Sequence, residues 1–180
     1  GPALGGVIVA TAGAAAAFLT NALTYIALLA VLFRWRPDLP AKLLPRERLG
    51  VAMRAGVRYV AMSPKIQLVL LRAGVFGIGA SAVSALMPLV ARNILGGGAL
   101  TFGVTSGAFG IGAVIGALST RRLRTRYSVE TIVRTAALTL ALGTAITGAS
   151  GWLALALLGY LLAGFGWVTA LATFNVSVQM

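Results

Sequence analysis

Long apolar runs recur along the whole chain, and basic or glycine-rich residues separate each run from the next. A helix that crosses a bilayer needs about 20 mainly apolar residues, and these runs reach or approach that length. Only 10 % of the residues are charged, whereas a soluble domain carries about 25 %. The sequence therefore predicts an all-α, polytopic membrane helix bundle with about six transmembrane helices. The spans are expected at residues 1–12 (the second half of a helix), 14–33, 65–94, 100–119, 129 to about 148, and 152–173.

Helix start and stop signals separate these runs. Residues 11–13 form a weak break, and the three glycines at 96–98 predict a turn. Ser63 followed by Pro64 is typical of a helix start, since Ser is a good N-cap and Pro fits the first helical position. Ser128 is expected to cap the helix after it, with Glu130 in the first turn, where the helix dipole favours an anion.

Residues 37–63 form the one substantial polar stretch between the runs. Within it, Leu49, Met53, Val57 and Val60 recur at helical spacing, while Arg54 and Arg58 share another face. This pattern predicts a short amphipathic helix. Two interpretations stay open: a helix that lies on the membrane surface, or a solvated loop helix with no specific role.

Lys and Arg are distributed unevenly between the two sides that the spans define. Nine of the fifteen lie at positions 34–72 and four at 121–126, and Arg134 falls on the same side. Only Arg92 belongs to the opposite side. Since cytoplasmic loops carry the excess of Lys and Arg, the sequence predicts a multi-pass protein of the plasma (bacterial inner) membrane with its basic loops in the cytoplasm.

Several kinds of chemistry are excluded or disfavoured by composition. The net charge of +12 does not indicate nucleic-acid binding, because no basic face with interleaved aromatic residues accompanies it. The sequence has no Cys and no His, which removes thiolate chemistry and the usual zinc ligands. It offers no plausible pair of catalytic carboxylates. We therefore expect neither an enzyme nor a cofactor, and the expected partner is the lipid bilayer.

Glycine is concentrated in the run at residues 100–119. Pairs of small residues four positions apart let helix backbones approach closely in membranes. Ordinary packing explains any single pair, but several glycines in one span predict a smooth face that can slide or rock against a neighbour. That face is expected at Gly103, Gly107, Gly112 and Gly116, and its matching surface at Gly1, Gly5 and Gly6.

Two motifs resemble those of a known transporter superfamily. The first six residues, Gly-Pro-Ala-Leu-Gly-Gly, resemble the G-P-x-x-G-G motif in the fifth helix of exporters of the major facilitator superfamily. Residues 116–126 resemble a degenerate copy of its cytoplasmic G-x-x-x-D-R-x-G-R-R turn, with Thr120 in place of Asp and Leu123 in place of Gly, which weakens the argument for a charge relay. The residues concerned are Gly1, Pro2, Gly5 and Gly6 of the motif and Arg121, Arg122, Arg124 and Arg126 of the basic turn.

Shorter stretches at 17–22, 70–73, 88–92 and 173–175 are similar to the branch that contains enterobactin exporters and macrolide efflux proteins. The resemblance implies twelve helices in two six-helix halves, of which this chain would hold helices five (in part) to ten. Helices five and eight would then meet across the boundary between the halves, and helices seven and ten would line the cavity. The implied division is 1–36 (end of the N-terminal half), 37–63 (cytoplasmic loop between the halves, with the amphipathic helix) and 64–180 (helices seven to ten).

The function that the resemblance implies is secondary active export of a small molecule, such as a siderophore or drug, by proton antiport with alternating access. No Asp or Glu lies deep in a run, so the coupling carboxylate is expected in the missing N-terminal half of the same chain. Two other classes stay open. One is a non-transporting membrane scaffold or subunit. The other is the membrane domain of an ATP-driven exporter, which would need a nucleotide-binding partner because no phosphate-loop Gly-Lys-Ser/Thr occurs here.

Polar side chains on the spans are the candidates for a cavity or a gate. Arg72 lies about two turns inside its run, and it either snorkels to the cytoplasmic surface or acts as a gate residue or an anchor for an anionic substrate. Asn175 and Gln179 either form hydrogen bonds in the cavity or mark the wet end of a helix. The full set of candidates is Arg72, Ser81, Ser84, Asn175 and Gln179.

Overall fold

The computed structural model describes the backbone of residues 2–36 and 48–179 and the side chains of residues 4–36 and 48–177. This part of the chain is helical and contains no strand. It forms six α-helices: α1 Pro2–Arg34, α2 Leu49–Ala61, α3 Pro64–Leu89, α4 Ala99–Arg126, α5 Val129–Ala149 and α6 Leu153–Gln179.

Five stretches of these helices are long and apolar enough to cross a membrane. The polytopic all-α architecture expected from the apolar runs is therefore confirmed. The five stretches are Leu4–Arg34, Pro64–Ile94, Ala99–Arg126, Val129–Ala149 and Leu153–Ser177.

Helix α1 contains the break that the sequence predicts at residues 11–13. Gly13 has φ 82° and ψ 171°, a backbone conformation that is essentially restricted to glycine. A straight helix of 33 residues would be about 50 Å long, well beyond the roughly 30 Å hydrocarbon core. Residues 2–12 amount to only about 16 Å of helix. The first two expected segments are thus one kinked element, which gives five candidate spans where about six were expected.

Helix α6 is the centre of the bundle, because it packs against α4 on one side and α5 on the other. Glycines bring the backbones together on both sides. A Cβ at Gly164 of α6 would collide with the carbonyl oxygen of Phe109 on α4, and a Cβ at Gly166 would lie 2.8 Å from the amide nitrogen of Leu140 on α5. Small residues at such crossings permit close packing without a hydrophobic driving force.

Helix α3 packs more lightly, chiefly against α6. The rings of Phe76 and Phe174 meet edge to face with 5.9 Å between their centroids. The π-helical segment Val90–Ile94 extends α3 just after Pro88. Proline removes a backbone donor from the ladder, and a π segment is one way in which a helix absorbs such an irregularity. The buried core beside α3 comprises Ala80, Val83, Met87, Leu140, Tyr160 and Ala163.

Helix ends follow the sequence at several points and depart from it at others. The Ser128 hydroxyl accepts a hydrogen bond from the Thr131 amide at 3.2 Å, so the expected cap is confirmed. Pro64 is the first residue of α3, but the Ser63 side chain makes no capping bond.

Two helices run further than the sequence suggested. Helix α4 continues to Arg126, so residues 121–126 are a continuation of the helix and not the turn that was expected. Arginine is a good helix former, and cations at a helix C-terminus are favoured by the dipole. Helix α6 likewise continues beyond residue 173, where the span was expected to end, to Gln179.

Candidate functional site

Helices α1 and α4 meet through two glycines. A Cβ at Gly6 would lie 2.8 Å from the carbonyl oxygen of Ala99 and 3.0 Å from the amide nitrogen of Gly103, and closer still to the Cα of Gly103. At Gly5 a Cβ would have nothing within 4 Å. The close approach therefore depends on Gly6 and not on its neighbour. Gly1 lies outside the described residues, and Pro2 is described only in its backbone.

The contact between Gly6 and Gly103 is the main link between α1 and the rest of the bundle. Among the described residues, α1 contacts α4 and no other helix. Most α1 side chains are exposed, with Gly6 the only buried residue among those described. The junction is consequently narrow and formed largely by backbone.

The glycines of α4 do not form the single face that the sequence analysis expected. Gly103 faces α1, whereas Cβ atoms at Gly112 and Gly116 would collide with or crowd the backbone of α6 at Leu161 and Phe165. The reason is helical geometry: a residue turns by about 100°, so nine positions place Gly112 on the opposite side of the helix from Gly103. The prediction of one sliding surface is wrong, and α4 uses two separate small-residue faces. Gly107, one turn after Gly103, is half-buried.

Arg72 of α3 is ion-paired with α5. Its Nη1 donates to Glu130 Oε2 at 2.6 Å, and the other carboxylate oxygen accepts from Arg134 Nε at 2.9 Å. The Arg72 and Glu130 side chains are 49 % and 43 % exposed, so the cluster is only partly desolvated. Because Glu130 is in the first turn of α5, Arg72 reaches toward the end of the bundle where the arginines at the end of α4 lie.

Glu130 was expected only to interact with the helix dipole in the first turn of α5, and its pairing with Arg72 was not anticipated. The two residues are 58 positions apart, and only the lateral placement of α3 beside α5 brings them together. An isolated Arg within an apolar run itself indicates that a carboxylate lies close by, because charged residues in membrane spans usually pair with one another. Glu130 was the best candidate for the partner of Arg72, because the other two acidic residues, Asp38 and Glu47, lie in the polar stretch before α2 and outside the apolar runs.

The remaining cavity candidates are distributed over α3 and α6. Ser81 is nine residues from Arg72, which places the two on opposite sides of α3, and both Ser81 and Ser84 are exposed. The Ser81 hydroxyl donates to the Ile78 carbonyl of its own helix at 2.8 Å. Asn175 is exposed on α6, and the Gln179 side chain lies outside the described residues. Arg72 and Ser81 therefore do not face a common cavity from α3.

Buried hydroxyls between α4 and α6 were not anticipated. Thr120, which stands where the resembled motif has Asp, turns inward and donates to the Gly116 carbonyl at 2.7 Å. Thr173 donates to the Thr169 carbonyl at 2.7 Å, while the Thr169 hydroxyl itself has no partner among the described residues. Thr120 is thus satisfied within its own helix, and because its side chain is an uncharged hydroxyl it cannot take the part of the Asp in a charge relay.

The arginines at the end of α4 form a solvent-facing cluster. Arg122 and Arg126 lie one turn apart and, with Tyr127, line an open cavity of about 580 Å³. No group of three His, Cys, Asp or Glu residues that could hold a metal ion occurs in the described ranges. The cluster offers positive charge and apolar stems without a catalytic group.

Comparison with known proteins gives a consistent family. A family described as transmembrane secretion effector, of the major facilitator type, matches residues 1–180. The enterobactin exporter EntS of Citrobacter koseri is 35 % identical over 176 residues, which are 96 % of this chain and 40 % of the relative. EntS of Escherichia coli O127:H6 is 35 % identical over 174 residues, which are again 96 % of this chain and 40 % of the relative. No solved structure matches. This chain spans 40 % of the length of these curated relatives.

Proposed function

Because this chain belongs to the transmembrane secretion effector family of the major facilitator superfamily, we propose that it is the central part of a secondary active exporter of small molecules. The family is one of transporters and not of enzymes, and the resemblance drawn from the sequence motifs is confirmed. The relatives are named as enterobactin exporters, so the proposed substrate is a siderophore or a metabolite of similar size. The remaining helices, including the N-terminal half, would lie in the rest of a longer protein.

The observation that carries this proposal is the backbone contact between Gly6 and Gly103. In the proposed arrangement, α1 ends the N-terminal half and α3–α6 belong to the C-terminal half. Alternating access requires the halves to rock against each other. A junction of two glycines without interlocking side chains is suited to such movement, whereas α6 is held firmly between α4 and α5.

The charges support an orientation and a division of roles. Arg72, Glu130 and Arg134 brace α3 against α5 at the end where the arginines of α4 lie, and we propose that this end faces the cytoplasm of a bacterial inner membrane. No carboxylate lies deep in a described span, since Glu130 is at the end of its helix. If export is coupled to protons, the proton-binding carboxylate would therefore come from the rest of the protein.

The proposal is tested by efflux from cells or inverted vesicles that contain the full-length protein. Export of a catecholate siderophore or a fluorescent drug should proceed without ATP and stop when an uncoupler collapses the proton gradient. Export that requires ATP and survives the uncoupler would indicate the membrane domain of an ATP-driven pump. No substrate movement with any compound would favour a scaffold.

A further inference from the structure

We propose that α2 is a docking surface for the anionic phospholipid surface of the membrane. This inference concerns a helix outside the candidate spans and does not depend on what the protein transports. It rests on the exposure of one apolar face, on the charge of a second face and on the way α2 is attached to α3.

The apolar face of α2 has no partner in the described part of the chain. Leu49, Met53 and Val57 are 79 %, 63 % and 70 % exposed, and their spacing of four residues puts them on one side of the helix. No residue of α2 is buried. Such a row of large apolar side chains is unfavourable in water, so this face requires a cover.

A second face of α2 is basic. Arg54 and Arg58 lie about 100° and about 140° from the middle of the apolar row, beside the exposed Val51, and α2 contains no acidic residue. A helix with one apolar and one basic face fits the plane of an anionic membrane, with its apolar side chains among the upper acyl segments and its cations at the headgroups. Each Lys or Arg near such a surface contributes about 1 kcal/mol, which is about a five-fold change in binding.

The attachment of α2 places it where a membrane surface must be. Two residues separate it from α3, and the Gln67 side-chain amide donates to the carbonyls of Val60 and Ala61 at 3.1 and 2.7 Å. Since α3 is a candidate span and Gln67 is in its first turn, the C-terminal end of α2 is fixed at the interface. This position and the arginines favour a lipid surface over a second copy of the chain.

The test uses the full-length protein in nanodiscs, with an environment-sensitive fluorophore on a cysteine at Met53→Cys. Ala55→Cys, on the other side of α2, is the matched control. In discs that contain phosphatidylglycerol, the probe at position 53 should emit at shorter wavelength and be quenched several-fold more by a lipid-borne nitroxide than the probe at 55. Arg54→Gln with Arg58→Gln should reduce that quenching, by up to about five-fold per arginine.

Two outcomes would overturn the inference. Equal quenching at positions 53 and 55 would mean that α2 is solvated on both faces. A shifted emission at position 53 that lipid nitroxides do not quench would mean that protein covers the apolar face, and cross-linking would identify a second copy or another part of the chain. Since α2 contributes no buried residue, these substitutions leave the helix bundle intact.

Discussion

Gly6 of α1 lies so close to Gly103 of α4 that the space between the two backbones does not admit a methyl group. The neighbouring Gly5 has open space at the corresponding position. Two adjacent glycines of one motif therefore differ in what they do: one sets the distance between helices, and the other does not. This difference gives the proposed mechanism an internal control, because the same substitution at the two positions should have different effects.

The glycines between α4 and α6 should matter for stability. Gly164→Ala would push a methyl group into the Phe109 carbonyl, and we expect a loss of about 1–3 kcal/mol from overpacking. Gly110→Ala is the control: its Cβ would meet nothing within 4 Å, and the better helix propensity of Ala should stabilise by up to about 1 kcal/mol. Thermal unfolding in detergent measures both. Equal midpoints for the two variants would show that α4 and α6 are not packed this closely.

The ion pair of Arg72 and Glu130 should contribute modestly. Both side chains are about half exposed, and pairs of this kind are worth about 0.2–1 kcal/mol. A double-mutant cycle with Arg72→Gln and Glu130→Gln, read by thermal unfolding in detergent, should give a coupling energy in that range that decreases with salt. A coupling energy of 3 kcal/mol or more would be typical of a buried pair, and it would mean that other parts of the full-length protein enclose this cluster.

The kink in α1 should require glycine at position 13. Gly13→Ala would place a Cβ in a conformation that only glycine adopts readily, at a cost of about 1–3 kcal/mol. Ala14→Gly, within a helical stretch, should cost only about 1 kcal/mol. Protease protection and the amount of protein inserted in the membrane compare the two. Full insertion and stability of Gly13→Ala would mean that α1 tolerates a straight helix here.

Much of the fold could be predicted from local sequence. The apolar runs located the candidate spans, and the capping residue Ser128 located the start of α5. The glycine at position 13 indicated where α1 bends. Each of these features depends on a few neighbouring residues, and for that reason the sequence reveals them directly.

The candidate site was less accessible to sequence reasoning. The pairing of Arg72 with Glu130 depends on which helices lie side by side, and no spacing along the chain encodes that. The division of the α4 glycines between two faces, in contrast, could have been predicted from the sequence, because the rotation from Gly103 to Gly112 follows from helix geometry alone. The arginines at 121–126 were expected to form a turn because they follow the end of an apolar run, while the residues themselves are compatible with a continuing helix.

The decisive measurement is efflux by the full-length protein with Gly6→Ala and, separately, Gly5→Ala in reconstituted vesicles. Both variants should insert in the membrane in normal amounts. If the junction of α1 and α4 is where the halves rock, Gly6→Ala should lower uncoupler-sensitive export by about 5- to 150-fold, which corresponds to 1–3 kcal/mol of overpacking. Gly5→Ala should export at close to the normal rate. Normal export by Gly6→Ala, or an equal loss in both variants, would contradict the proposed role of the Gly6–Gly103 contact.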